Sequence, residues 1–176
     1  MFGDMGADVI LVERPGGDAT REIEPFAGDK AGPDRGLPWT AFNRNKRSVV
    51  LDLTTDEGRA NAIALAGMVD VVIEDADDDS LTDAGLDYED LRTTNPAIVY
   101  VSMSAFGRTG TKRGYVGGEL VAQAAGTLLY AHGDDEMPPA MGPADLLSQI
   151  ACFHAAFGAL VALRRRDRTG QGAHVD

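Results

Sequence analysis

The chain has 176 residues, 44% of them apolar, and its 28 acidic against 16 basic side chains give a formal net charge of -12. That length supports one sizeable core, while the charge opposes nucleic acid and anionic membrane surfaces, so any anionic ligand must be met by local cations. A single cysteine, Cys152, excludes an internal disulfide and a multi-cysteine metal site, and its apolar neighbours predict a buried thiol. No stretch is read as approaching the roughly 20 apolar residues of a membrane span, and the start lacks the basic segment and apolar run of a signal peptide. The expectation is a soluble protein of the reducing cytosol without a membrane partner.

Met1 to Gly6 reads as the tail of a helix already under way, and the compact apolar run Val9-Ile10-Leu11-Val12 within Ala7 to Val12 predicts a parallel strand buried on both faces. Pro15, Gly16 and Gly17 close it. From Asp18 to Thr40 the chain is rich in Gly, Pro, Asp and Arg without periodicity, which suits a ligand-facing loop. A second strand is expected over Ser48 to Leu53, and a helix over Asp56 to Met68, where Asp56 and Glu57 favour the first turn. A third strand over Val69 to Ile73, an acidic segment, a short helix near Tyr88 to Arg92 and a fourth strand over Ile98 to Met103 complete an alternation that means a parallel α/β sheet. The glycines at 107, 110, 114, 117 and 118 predict a flexible loop, followed by helices over Glu119 to Tyr130 and Leu146 to Arg166. In the latter, Leu147, Ile150, Ala151, His154, Phe157, Leu160 and Val161 recur near helical spacing and predict a buried side. The chain ends inside what reads as another element, so the fold is expected to be an open α/β parallel sheet flanked by helices, incomplete at both ends.

Four groups of side chains carry possible chemistry. Asn43-Arg44-Asn45-Lys46-Arg47-Ser48 places three cations and two amides at one sheet edge, as a phosphate and nucleotide contact or as a solvated basic turn. Arg14 and Arg21 flank Pro15-Gly16-Gly17-Asp18 after the first strand, where open parallel sheets bind ligands, although no Gly-x-Gly-x-x-Gly pattern follows and no P-loop is present. The carboxylates Glu74, Asp75, Asp77, Asp78, Asp79 and Asp83 read as a solvated acidic loop, because Ser80 and Leu86 break the calcium-loop pattern. Asp145, just before a long apolar helix, is either an N-cap or a nucleophile toward a thioester carbonyl. His132 and His154 lie in no hydrolytic triad pattern, and His154 is read as a core residue.

Gly6-Ala7-Asp8-Val9-Ile10 through Val12-Glu13-Arg14-Pro15, then Asn43-Arg44-Asn45-Lys46-Arg47-Ser48 through Leu51-Asp52-Leu53, resemble the family III (CaiB/BaiF-type) CoA-transferases in their order. The resemblance continues through Asp70-Val71-Val72-Ile73-Glu74, Asn95-Pro96, Ala105-Phe106-Gly107, Ala122-Gln123-Ala124 and Arg168-Thr169-Gly170-Gln171-Gly172. It implies a Rossmann-like CoA-binding large domain over residues 1–176, with the linker and small domain of a longer, interlocked homodimer absent. It also implies coenzyme A as substrate with no tightly bound cofactor or metal, and an acyl-CoA donor with a carboxylic acid acceptor as partners. Asp145 matches the family nucleophile that forms a mixed anhydride. Arg14, Asn45, Lys46, Arg47, Leu51, Asp52, Leu53 and Thr54 match CoA-binding positions, and Glu119 falls near the active-site entrance. Glu74-Asp75-Ala76 departs from the family's Glu-Asn-Phe, and carboxylates there would repel CoA phosphates by about 1 kcal/mol in water or roughly 4 near a protein surface. That departure motivates a non-catalytic CoA-binding or interaction domain as the alternative. A 2-methylacyl-CoA racemase ranks lower, because Gly118 stands where its histidine is expected.

Overall fold

Parallel strands need a crossover of a dozen or more residues between them, and the spacing of the apolar runs supplies such crossovers. The computed structural model describes residues 1–76, 79–134, 136–143 and 145–176. Its strands form a two-stranded and a three-stranded sheet, both parallel, with helices between the strands. This is the open α/β class expected, with the backbone grouped into two units, Met1–Ala64 and Leu65–Asp176.

In the first unit a 3-10 turn at Gly3–Met5 precedes strand β1 (Val9–Glu13). Two further 3-10 turns, Ala19–Glu22 and Ala27–Asp29, and helix α1 (Leu37–Asn43) make the crossover to β2 (Lys46–Val50). Val9 pairs with Lys46 and Glu13 with Val50. Helix α2 (Asp56–Ala66) follows, and the boundary between units falls within it. The supposed loop over 18–40 therefore holds helical turns. Pro38 reads as a breaker but sits in the first turn of α1, where a missing N–H costs nothing. β2 starts and ends earlier than its apolar pattern, because Asp52 turns the chain: its Oδ1 accepts from the Thr54 amide at 3.0 Å and from the Thr54 hydroxyl at 2.6 Å. β1 is not buried on both faces. Only its last residue, Glu13, is buried, since a two-stranded ladder gives β1 a single neighbour.

Glu13 is the knot of this unit. A carboxylate that is 2% exposed needs partners, and Arg21 supplies two hydrogen bonds at 2.7 and 2.8 Å, with the Asp18 amide at 2.8 Å and the Ser48 hydroxyl adding two more. The Arg21 guanidinium also reaches Asp34 at 2.5 Å and lies 3.9 Å over the Trp39 ring. β1, β2, α1 and the long crossover thus meet on one ion pair. Chiefly through the Arg21 hydrogen bonds, against the opposing effect of burial, Glu13 is held down to about 2 from the ordinary 4.5.

The second unit runs β3 (Val71–Glu74), α3 (Ser80–Asp83), α4 (Tyr88–Thr94), β4 (Val99–Ser102), α5 (Glu119–Ala125), α6 (Leu128–Ala131), α7 (Leu146–Thr169) and β5 (Ala173–Val175). The sheet order is β3-β4-β5. β4 is central, and all four of its residues are buried. Tyr100 donates its hydroxyl to the Leu86 carbonyl at 3.1 Å, and burial, then the charge of Glu74, pushes that phenol well above its usual range. Asp87 caps α4 through the Asp90 amide at 2.9 Å. The helix expected over 119–130 is broken between α5 and α6, where Gly126 caps α5 and Thr127 takes a left-handed conformation at φ 65°.

α7 is the crossover that joins the neighbours β4 and β5, and its packing corrects three expectations. Its buried residues are Ala156, Ala159 and Ala162, whereas Phe157 is 69% exposed and Ile150, Leu160 and Val161 are exposed as well. His154 and Cys152 are exposed, neither in a core. The helix is apolar all round, so its periodicity does not select a face; close approach to the sheet does. A Cβ on Gly158 would lie 2.8 Å from Val175 Cγ1, so small residues face β4 and β5. The helix is also long and apolar enough to cross a membrane by length and composition, with a mean hydropathy of 1.8, contrary to the sequence reading. Its role as the link between paired strands identifies it as a packing helix of this sheet.

The Glu13–Arg21 pair predicts an acid-sensitive fold. Because the folded-state value of Glu13 is depressed, its stabilisation is present above about pH 4.5 and is lost as the pH falls toward about 2. Melting temperatures measured over that range should fall more steeply for the native protein than for Glu13→Gln. Arg21→Ala, which strands a buried carboxylate, should destabilise by about 3 kcal/mol in denaturant titration.

Candidate functional site

The parallel register divides the expected CoA-binding residues between the two ends of one sheet. Arg14 follows β1, and Leu51, Asp52, Leu53 and Thr54 follow β2, so both groups lie at the carboxyl edge, where open parallel sheets receive ligands. Asn45, Lys46 and Arg47 lie at the amino edge, about 13 Å away along the strands at ~3.3 Å per residue. Lys46 and Arg47 begin β2 rather than preceding it.

Local acids occupy much of the basic run. Arg47 makes a two-pronged pair with Asp8 at 2.9 and 2.6 Å, Asn45 donates to Asp4 at 3.0 Å, and Arg44 lies 4.0 Å from the same Asp4 carboxylate. Lys46 donates to the Asn43 side-chain oxygen at 2.8 Å and, with Trp39 and Ser48, lines a shallow concavity of about 190 Å³. Arg21, a candidate beside Arg14, is spent on Glu13 and Asp34. Arg14 differs. It is exposed, its guanidinium donates to the Gly17 carbonyl at 3.3 Å, and among the described residues it makes no ion pair. It opens onto a concavity of about 530 Å³ lined also by Gly16, Gly17, Phe26 and Gly32.

The Asp52 turn is braced from behind. Arg59 donates to the Leu53 and Thr54 carbonyls at 3.1 and 3.0 Å, and Gly58 comes so close that a Cβ there would overlap the Asp52 carbonyl at 1.9 Å. The Thr54 hydroxyl, then the Thr54 amide, hold Asp52 below the usual carboxylate range. Hydrogen bonds and close packing thus fix this turn where the chain leaves β2.

In the second unit Asp145 stands where an N-cap residue stands, yet it does not cap. It takes a left-handed conformation at φ 62°, ψ 16°, and its side chain makes no cap hydrogen bond. The free amides of the first turn of α7 are met otherwise: Leu146 donates to the Pro143 carbonyl at 3.3 Å, and Leu147 and Ser148 donate to the two carboxylate oxygens of Glu119 at 2.7 and 3.3 Å. The Ser148 hydroxyl adds a bond to Glu119 at 3.1 Å. Gln123, fully buried on α5, donates to Glu119 at 2.9 Å and accepts the Gly142 amide at 2.9 Å. These bonds, the Leu147 amide foremost, hold Glu119 below the usual carboxylate range. The result is an exposed carboxylate, Asp145, at the positive end of a 24-residue helix whose amides are already satisfied.

The acidic segment carries less free charge than its sequence indicates. Glu74 is buried, accepts the Ala76 amide at 2.9 Å and pairs with Arg108 at 3.2 Å; Asp79 pairs with Arg113 at 2.7 Å. Asp75 is exposed, and Asp77 and Asp78 lie outside the described residues. Gly118, where the resemblance would place a racemase histidine, is the N-cap of α5. Sequence reasoning missed Glu13, Gln123 and the capping role of Glu119. For Glu13 a signal existed, since an acid ending an apolar strand must find a partner.

Proteins of similar sequence and fold place the chain among its relatives. The succinyl-CoA:mesaconate CoA-transferase of Haloarcula hispanica is 39% identical over 183 residues, an alignment covering 100% of this chain and 46% of that protein. The succinyl-CoA:(R)-benzylsuccinate CoA-transferase subunit BbsE of Thauera aromatica is 35% identical over 176 residues, covering 100% and 43% respectively. The crystal structure of a CAIB/BAIF family protein from Brucella suis superposes with a TM-score of 0.91 at 34% identity, covering 99% of this chain and 46% of that one. The chain spans less than half the length of these relatives. The profile of CoA-transferase family III matches residues 1–176, and the chain belongs to that family.

Proposed function

We propose that the protein carrying this chain transfers coenzyme A between an acyl-CoA thioester and a carboxylic acid, with Asp145 as the nucleophile. The observation that carries the reading is the exposed, uncapped carboxylate of Asp145 at the start of α7 in a family III chain. A carboxylate bound as an N-cap is a weakened nucleophile, and here that duty falls to Glu119.

The proposed steps balance without water, oxidant or tightly bound cofactor. An Asp145 oxygen attacks the thioester carbonyl, the C–S bond breaks, and CoA thiolate leaves a mixed anhydride. The thiolate attacks the aspartyl carbonyl of that anhydride, releasing the first acid and leaving an aspartyl-CoA thioester. The acceptor carboxylate attacks this thioester, giving a second anhydride and thiolate; the thiolate then takes the new acyl group and restores Asp145. Names of relatives support succinyl-CoA as a donor to test. Pairing of Glu74 and Asp79 with arginines lessens the repulsion of CoA phosphates that motivated a non-catalytic reading.

Arg14 and the Leu51–Thr54 turn are proposed to hold the nucleotide end of CoA, with Asn45, Lys46 and Arg47 as more distant contacts. The exposed apolar side of α7, with Phe153 63% and Phe157 69% exposed, supports a homodimer of the intact protein.

Two measurements test this reading. In calorimetric titration of the intact protein with CoA, affinity should weaken with salt, and Arg14→Ala should raise Kd about tenfold, the worth of one charge-assisted bond; unchanged affinity would remove Arg14 from the site. Asp145→Ala should cut turnover of succinyl-CoA with a carboxylic acid by at least ~10³-fold, and hydroxylamine added during turnover should leave a hydroxamate at Asp145 by mass spectrometry. Turnover with Asp145 unmodified would contradict the assignment.

A further inference from the structure

Asp145 owes its availability to two residues on another helix. A helix that starts without a capping side chain at its N-cap leaves N2 and N3 amides to be satisfied elsewhere. In α7 these are Leu147 and Ser148, and both bond Glu119, 28 and 29 residues earlier in the chain. Were Glu119 withdrawn, these amides would lose their acceptor, and the Asp145 carboxylate at the N-cap position could take its place only if the backbone left its left-handed conformation for the extended one of an ordinary cap. Gln123 fixes both sides of this arrangement: its amide holds the Glu119 carboxylate, and its oxygen holds Gly142, three residues before Asp145. Gly142 is buried, and a Cβ there would meet Leu146 at 3.2 Å and Gln123 at 3.4 Å, so Gly142 is closely packed as well as bonded.

We propose that Glu119 and Gln123 are positioning residues for the reaction, with Glu119 capping α7 in place of Asp145 so that the Asp145 carboxylate stays free to attack the thioester. The inference rests on the assignment of Asp145 as nucleophile. It gives Glu119 a role through Asp145 rather than through contact with CoA.

The test uses the intact protein, succinyl-CoA and hydroxylamine, reading hydroxamate formation at Asp145 and the KM for succinyl-CoA. Glu119→Ala should slow Asp145 labelling about tenfold, the loss of a cap worth about 1 to 2 kcal/mol, with KM changed less than about twofold. Glu119→Gln, whose amide oxygen still accepts from Leu147, should stay within about threefold of the native rate. Labelling by Glu119→Ala at the native rate, or an equal loss in Glu119→Gln, would overturn the proposal. If circular dichroism shows Glu119→Ala unfolded, Gln123→Met decides: labelling reduced at least threefold upholds the proposal, and the native rate refutes it. Native protein that turns over succinyl-CoA without labelling at Asp145 would instead refute the nucleophile assignment, and this inference with it.

Discussion

The start of α7 is the constraint on which the second unit depends. This helix links the buried strand β4 to β5, so an error in its first turn would propagate into the sheet. Its leading amides need acceptors, and the chain brings one from α5 rather than using the aspartate at the cap position. Capping thereby falls to Glu119, half-buried and saturated with hydrogen bonds, while Asp145 is exposed at a positively polarised helix end.

The same economy runs through the charges of the chain. With a net charge of -12, arginines are readily drawn into pairs, as seen for Arg21 with Glu13 and Asp34, Arg47 with Asp8, Arg108 with Glu74 and Arg166 with Asp70. Two of these, Arg21 with Glu13 and Arg108 with Glu74, tie crossover segments to strands. The exposed pair of Arg47 with Asp8 contributes little to stability, while the buried bond of Arg21 to Glu13 organises the whole first unit. Arg14, at the carboxyl edge of β1, is exposed and makes no ion pair among the described residues. Anion recognition in such a chain depends on placement, since the long-range field works against it.

Strand positions were legible because compact apolar runs such as Val9 to Val12 and Ile98 to Met103 between turn residues admit few alternatives. Asp145 and Arg14 stood out as candidates through motif order. Other features were hidden for physical reasons. α1 was masked by Pro38, which breaks helices everywhere except in the first turn. The buried side of α7 was masked because the helix is apolar all round, so alanines rather than phenylalanines meet the sheet. The true cap was masked by distance: an aspartate before a helix reads as its cap, and nothing local reveals that Glu119 has taken the position. β5 is only three residues long and gains its identity from pairing with β4.

The central claim is that Glu119, rather than Asp145, holds the first turn of α7. Amide hydrogen exchange resolved to single residues in the intact protein tests it directly. Leu147 and Ser148 should exchange slowly in the native protein and in Asp145→Ala, and rapidly in Glu119→Ala. Protection lost in Asp145→Ala and kept in Glu119→Ala would show that Asp145 is the cap, and would contradict the account.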